Sequence, residues 1–267
     1  MKKKVIKRKN SFIRKKRGGI RIFVLCVLVI AALVLGITMF FKIGGIQVEG
    51  EIRYTAEEII EKSGIKKGDN IFTINPAESE RKIKEAFPYV ENVEIKRVFP
   101  DKIVIAVESA KEAVYTRSDD EKWLILNGEG RLLDITEKHP KLPELIGAEV
   151  TANGIGKLAN FRDETTLGIF KMLWDELEKA EIEDKVTEIN LSKRYNLTFD
   201  YSAQVMVNLG NTDNLAKKIA FAKISITENL VENGKGEVKF SDNTAKTANY
   251  RELTDDEWID LKLSQNS

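Results

Sequence analysis

The sequence predicts an α+β protein: a single transmembrane helix, then a two-layer α/β domain, then a second mixed domain with an extended β-sheet and two helices. Three observations predict it. An uncharged run of twenty residues near the N-terminus is long enough to cross a bilayer as a helix. Residues 42–110 then pass through strand, helix, helix, strand and strand patterns in turn. From 111 to 240, short alternating runs dominate, interrupted by two helical stretches.

The apolar run is Ile22 to Phe41, with Thr38 as its one polar group. A helix satisfies every backbone amide internally, which lipid requires. Thr38 can return its hydroxyl to a carbonyl one turn back. Phe40 and Phe41 mark the outer end, where Lys42 can snorkel to the headgroups. A cleaved signal peptide is the alternative, but its apolar core would be shorter and end in a small-x-small site.

The net charge of +1 conceals two opposed parts. Residues 1–21 hold eleven Lys or Arg and no acid, which leaves 32 basic against 42 acidic residues beyond them, a net of −10. This divides the chain into a basic cytoplasmic tail, 1–21, and an exported acidic body. Anionic lipid at the inner leaflet is the expected contact of the basic tail. Such clusters also bind phosphates of nucleic acid. Here topology accounts for the charges, Phe12 is the lone aromatic among them, and nucleic-acid binding is not expected.

In the first exported stretch, Ile43, Ile46 and Val48 suggest a strand ending at Gly50. Thr55 and Glu58 have the spacing of a capping box at a helix start, with Ile59, Ile60 and Ile65 facing inward. Ser63-Gly64 stops that helix, and Lys67 to Asn70 form a turn. Asn75-Pro76 opens a second helix to about Glu85. Val93, Ile95, Arg97 and Phe99 alternate as a half-buried strand. Pro100-Asp101 turns the chain, and Ile103, Ile105 and Val107 alternate again. Two helices then cover one face of a three-stranded sheet, and Glu94, Lys96 and Lys102 stay wet on the other.

The carriers of a family resemblance lie in this stretch. They are Val48-Glu49-Gly50, Tyr54 to Ile59, Gly64, Gly68 to Phe72, Pro88-Tyr89-Val90, Arg97 to Asp101 and Ile103 to Glu108. In order and spacing the stretch resembles a POTRA domain of the FtsQ/DivIB cell-division family. Ser109-Ala110 departs from the Glu-Arg usual after its last strand.

The second stretch, 111–240, extends the likeness. Trp123 to Leu126 and Arg131 to Leu133 flank an Asn127-Gly128-Glu129-Gly130 turn, with Asn127 where the family commonly has Asp. Leu142-Pro143-Glu144-Leu145-Ile146-Gly147 resembles its Leu-Pro-x-Ile-x-Gly segment. Leu167, Phe170, Leu173, Trp174 and Leu177 share one face of a helix over 165–180. Ile189, Leu191, Leu197, Phe199, Val205 and Val207 read as strands. Leu215, Ile219, Ala222 and Ile226 share a face of a second helix, and Glu237 to Phe240 are a last strand. From 241 to 267 the chain reads as a polar, flexible tail. Within it Thr254 to Glu257 offer a cap for a short helix over Trp258 to Leu263.

Catalytic patterns are missing. His139, the single histidine, sits beside Pro140 and reads as a loop residue. Cys26, the single cysteine, lies in the apolar run, so no internal disulfide forms. There is no metal-ligand spacing, phosphate loop or nucleophile elbow. The paired acids Asp119-Asp120 and Asp255-Asp256 read as solvated. No enzyme activity, cofactor, metal or small-molecule substrate is expected.

The resemblance implies a scaffold of the bacterial septum: a single-pass type II protein of the cell membrane with its C-terminal domains outside. Its implied partners are other divisome membrane proteins, FtsL and the FtsB/DivIC-type coiled-coil proteins. Pairing of an exposed edge strand with a partner strand is the physical mode expected. Val238, Lys239 and Phe240 are the candidate edge, and an ordinary covered strand is the alternative. A POTRA-type secretion or assembly factor and a membrane-tethered cell-wall enzyme are the other function classes. The first lacks a following β-barrel and the second a catalytic constellation.

Overall fold

The computed structural model describes residues 12–51, 53–118, 121–240 and 248–265. The expectations for Lys2, Lys3, Lys4, Lys7, Arg8 and Lys9, for Asp119-Asp120 and for 241–247 lie outside these residues.

Helix α1 runs Phe12–Phe40. Its apolar stretch, Gly19–Phe40, has 22 residues and is wholly exposed. At about 1.5 Å per residue it reaches across a hydrocarbon core. It fits a single-pass membrane anchor. Thr38 Oγ1 donates to the Leu35 carbonyl at 2.9 Å, which removes the cost of a bare hydroxyl in lipid.

Strand β1 (Gly45–Glu49), α2 (Ala56–Ser63), α3 (Pro76–Ala86), β2 (Val90–Val98) and β3 (Lys102–Ser109) follow. The sheet order is β1-β3-β2, with β1 parallel to β3 and Val48 opposite Ile105. Helix α2 begins at the expected capping box: the Thr55 side chain accepts from Glu58 N, and the Glu58 carboxylate accepts from Thr55 N at 2.8 Å. It ends on Gly64 in the left-handed region, φ 75°, which costs glycine nothing. Ile43, Ile59, Ile65, Ile71, Ile83, Ile103 and Ile105 are buried and form this core, whereas Ile60 is half-buried. Glu94, Lys96 and Lys102 are exposed, as their alternation requires. Phe99 departs from its expected inward face and is 56% exposed.

The remaining elements are β4 (Val114–Arg117), β5 (Trp123–Leu126), β6 (Leu132–Thr136), β7 (Glu144–Ile146), α4 (Glu164–Lys179), β8 (Val186–Asn190), β9 (Leu197–Tyr201), β10 (Val205–Gly210), α5 (Leu215–Asn229), β11 (Lys235–Phe240), β12 (Ala248–Leu253) and α6 (Asp255–Gln265). The nine strands form one sheet in the order β12-β11-β10-β9-β8-β7-β4-β5-β6. The pairs β10–β11, β7–β8 and β4–β7 are parallel. Phe170, Leu173, Trp174 and Leu177 of α4 share one core with Leu215, Ile219, Ala222 and Ile226 of α5 and with Val114, Leu126, Ile189, Phe199, Val207 and Val238 of the sheet.

The flexible tail expected from 241 gives way to ordered elements over 248–265. Leu253, Trp258 and Met206 form a small second core, with Leu261 against it. Leu253, Trp258 and Leu261 belong to a strand and a helix joined at Thr254, a spacing that fits neither period alone.

The chain divides into two compact units. The second includes Lys84–Asn92 as well as the β-rich region from Glu108 onward. Tyr89 is buried in it, with its hydroxyl 2.8 Å from Glu112 Oε1 and the Arg53 guanidinium 3.9 Å from its ring centre.

Candidate functional site

Strand β11 carries the residues singled out for partner binding. Val238 is fully buried, Phe240 is half-buried and Lys239 is exposed. Alternation produces this pattern: Val238 faces α4 and α5, and Lys239 faces away. The expectation that these residues form a free edge is corrected. Val238 pairs with Val207 of β10 on one side and Tyr250 of β12 on the other. Lys239 likewise lies between Asn208 and Asn249. The rim of the sheet is therefore β12, one strand further out, and among the described residues it pairs with β11 alone.

The rim is charged. Arg251 meets Glu257 at 3.0 Å and Glu237 at 3.5 Å. Charges on an edge discourage indiscriminate pairing and leave room for a matched partner. Gly236 in β11 lets Tyr250 lie close above it, since a Cβ there would meet the phenol at 2.5–2.8 Å. Burial pushes the Tyr250 hydroxyl pKa up, with Glu252 adding to the shift.

Helix α6 clasps the other face of this sheet end. Thr254 and Glu257 form a second capping box, with Thr254 N donating to Glu257 at 2.9 Å. Those bonds hold the Glu257 carboxyl below its usual range. Lys235 Nζ lies 5.2 Å from the Trp258 ring centre. Lys262 Nζ reaches Glu188 and Asp200, both at 2.7 Å. Asn190 Nδ2 donates to the Gln265 carbonyl at 3.3 Å, and Asn196 Nδ2 to Gln265 Oε1 at 3.2 Å. Burial raises the Asp200 pKa, only partly opposed by Lys262. For Lys262, burial works against the charge, but the bonds to Asp200 and Glu188 carry its pKa upward. The difference follows depth: the Asp200 side chain is 2% exposed and that of Lys262 25%.

The other residues weighed for chemistry have structural surroundings. His139 lies in a loop, with Nδ1 2.8 Å from the Pro140 carbonyl and Nε2 3.2 Å from the Tyr115 hydroxyl. Its ring meets Tyr115 and Trp123 edge-on at 5.0 Å each. Burial and Glu144 push the Tyr115 hydroxyl up to about 12, out of reach of physiological proton transfer. Asn127 is buried in its turn and accepts from Glu129 N and Arg131 N, at 3.1 and 2.8 Å. This carbonyl does what a carboxylate would do there. Asp255 and Asp256 are exposed in the first turn of α6, where the helix dipole favours them.

This combination defines a class: a membrane-anchored protein in which a POTRA-type module precedes a sheet-dominated domain with an open rim. A family model described as POTRA domain, FtsQ-type, matches residues 41–108, and one described as Cell division protein FtsQ/DivIB, C-terminal, matches 114–239. The chain is 30% identical over 246 residues to a cell division protein DivIB of Clostridium acetobutylicum, covering 90% of this chain and 94% of that protein. It is 29% identical over 213 residues to a DivIB of Clostridium botulinum (strain Loch Maree), covering 78% and 82%. It is also 29% identical over 192 residues to a cell division protein FtsQ of Syntrophotalea carbinolica, covering 69% and 65%. The chain belongs to the FtsQ/DivIB family of cell division proteins. Strand β12 and helix α6 lie beyond the matched C-terminal region.

Proposed function

We propose that this protein is a divisome scaffold without a catalytic step of its own, which links septal membrane proteins through its exported domains. Helix α1 crosses the cell membrane once, with the basic N-terminus in the cytoplasm on anionic lipid. The domains from 42 onward stand outside, at the division septum. The partners are FtsL and FtsB/DivIC-type coiled-coil proteins. Neither nucleic acid nor a small-molecule substrate is part of the function.

The observation that carries this reading is the open rim, β12, on a sheet of nine strands. A partner strand can be laid along the outer side of a rim strand and extend the sheet. The docking end is the β11–β12 end: Val238, Lys239 and Phe240 supply its inner strand and Ala248–Leu253 its outer one.

The test is capture of the exported segments of FtsL and of the FtsB/DivIC-type protein by the full chain in nanodiscs. Neighbouring amides on β12 point alternately inward and outward, so proline is placed separately at Tyr250 and Arg251. Proline at whichever position faces outward is expected to abolish capture with the fold intact by circular dichroism. Full capture by both folded variants would refute docking at this rim.

A further inference from the structure

The end of α1 is joined to the first sheet domain by more than the chain. Asn70 Nδ2 donates to the Ile37 carbonyl at 3.1 Å, an oxygen that also accepts from Phe41 N at 3.3 Å in the last helical turn. Ile71 N donates to the Phe41 carbonyl at 2.9 Å, and Ile43 N to the Asp69 carbonyl at 2.8 Å. The 68–73 turn is held in its own right: Arg97 donates to the Ile71 and Ile74 carbonyls at 2.9 and 3.0 Å. Gly44 N donates to the Asp101 carbonyl at 2.8 Å, which ties in the turn between β2 and β3.

Three rings meet at this junction. Phe41 lies 5.1 Å from Phe72 and 6.1 Å from Phe99, and Phe72 lies 5.4 Å from Phe99, centre to centre. Aromatic clusters of this kind are ordinarily buried. Here Phe72 is 50% exposed and Phe99 56%, with Val98 beside them at 44%. Phe41, which joins this patch, directly follows Phe40, the exposed last residue of the helix. Lys42 and Arg97, both exposed, flank the patch.

We infer that Phe72, Val98 and Phe99 are a second membrane contact, seated in the interfacial zone of the extracytoplasmic leaflet beside the end of α1. This rests on the membrane-anchor reading of that helix. Lipid is the occupant because the patch continues the lipid-facing surface of α1, and the hydrogen bonds to Ile37 and Phe41 hold it at the depth where that helix leaves the hydrocarbon. Apolar side chains lying in the headgroup zone with cations beside them bind in this way. The consequence is mechanical. The first domain rests on the bilayer instead of swinging on a linker, so its sheet has a set height and tilt.

The experiment uses the full chain with Cys26→Ser, reconstituted in liposomes and carrying one spin label at a time. The labelled variants are Leu28→Cys in the span, Phe72→Cys, Phe99→Cys and Lys62→Cys on the exposed side of α2. The readout is accessibility to a water-soluble nickel chelate relative to oxygen. Labels at 72 and 99 are expected to be several-fold less accessible to nickel than the label at 62, approaching the label at 28. If 28 is shielded while 72 and 99 match 62, the inference is overturned and the anchor stands. If 28 is as accessible as 62, the anchor reading fails and the inference with it.

Discussion

Lys262 is the residue on which the C-terminal clasp turns. Its ammonium lies 2.7 Å from both Glu188 and Asp200. Among the described residues Asp200 Oδ1 is buried with no hydrogen-bond partner, so Lys262 supplies most of that carboxylate's compensation. Lys262→Met keeps the aliphatic stem over Trp258 and removes the charge. Stranding a buried carboxylate in this way costs about 3 kcal/mol. The expected result is a matching loss in thermal stability of the full chain in detergent, partly recovered by adding Asp200→Asn. The pH dependence has a definite sign. The folded pKa of Lys262 is raised, so its stabilisation is complete below the ordinary lysine pKa and is lost as pH climbs through the raised value. Asp200 is also raised, so its burial penalty is absent below the ordinary carboxylate pKa and sets in as pH rises toward the folded value. The gap between parent and Lys262→Met is therefore widest near neutrality and narrows toward both acid and strong alkali. A gap independent of pH would show that Lys262 acts through packing alone.

Helix α6 depends on its first turn as much as on its packing, because Trp258 is its one fully docked side chain. Thr254→Ala deletes the reciprocal cap with Glu257 and costs about 1 kcal/mol of helix stability. The loss is expected to be local: amides of 255–265 exchange several-fold faster with solvent, while those of β9 and β10 do not change. Equal acceleration in the central strands would mean that α6 unfolds only with the whole domain. The same cap at Thr55 and Glu58 was legible in the sequence, because both partners lie within one turn and the apolar residues follow at once. The faces of α4 and α5 were legible for a similar reason, their periodicity being local. Strand β12 was not. Arg251 and Glu252 mask its alternation, and its place depends on pairing with β11, whose other neighbour β10 lies across α5 in sequence. The interleaving of β7 between β4 and β8 is likewise a matter of distant pairings. Lys218 misleads any reading of α5 from polarity: it is 1% exposed, with its ammonium spent on the Leu209 and Asn211 carbonyls at 2.7 and 2.9 Å. At the candidate site, the alternation around Val238 marked a sheet end, but which strand formed its rim depended on contacts that no local pattern records.

At the scale of the whole molecule, charge is the argument for the proposed topology. Eleven cations precede the apolar span and Lys42 alone follows it closely, while the body beyond carries a net of −10. Each juxtamembrane cation is worth about 1 kcal/mol at an anionic inner surface, so the two orientations differ by far more than thermal energy. The body's own excess of acid contributes little to orientation, since long domains cross largely regardless of charge. Alkaline phosphatase fused after Ser267 is therefore expected to be active, and a fluorescent protein that matures only in the cytoplasm is expected to stay dark there. Neutralising Arg14, Lys15, Lys16 and Arg17 together, nearest the span, is expected to produce a minority of inverted chains, detectable as fluorescence with the second reporter. A bright fusion in the unaltered protein would put the nine-stranded sheet in the cytoplasm. Its rim would then be out of reach of any strand outside the membrane, and the scaffold would have to work from the opposite face.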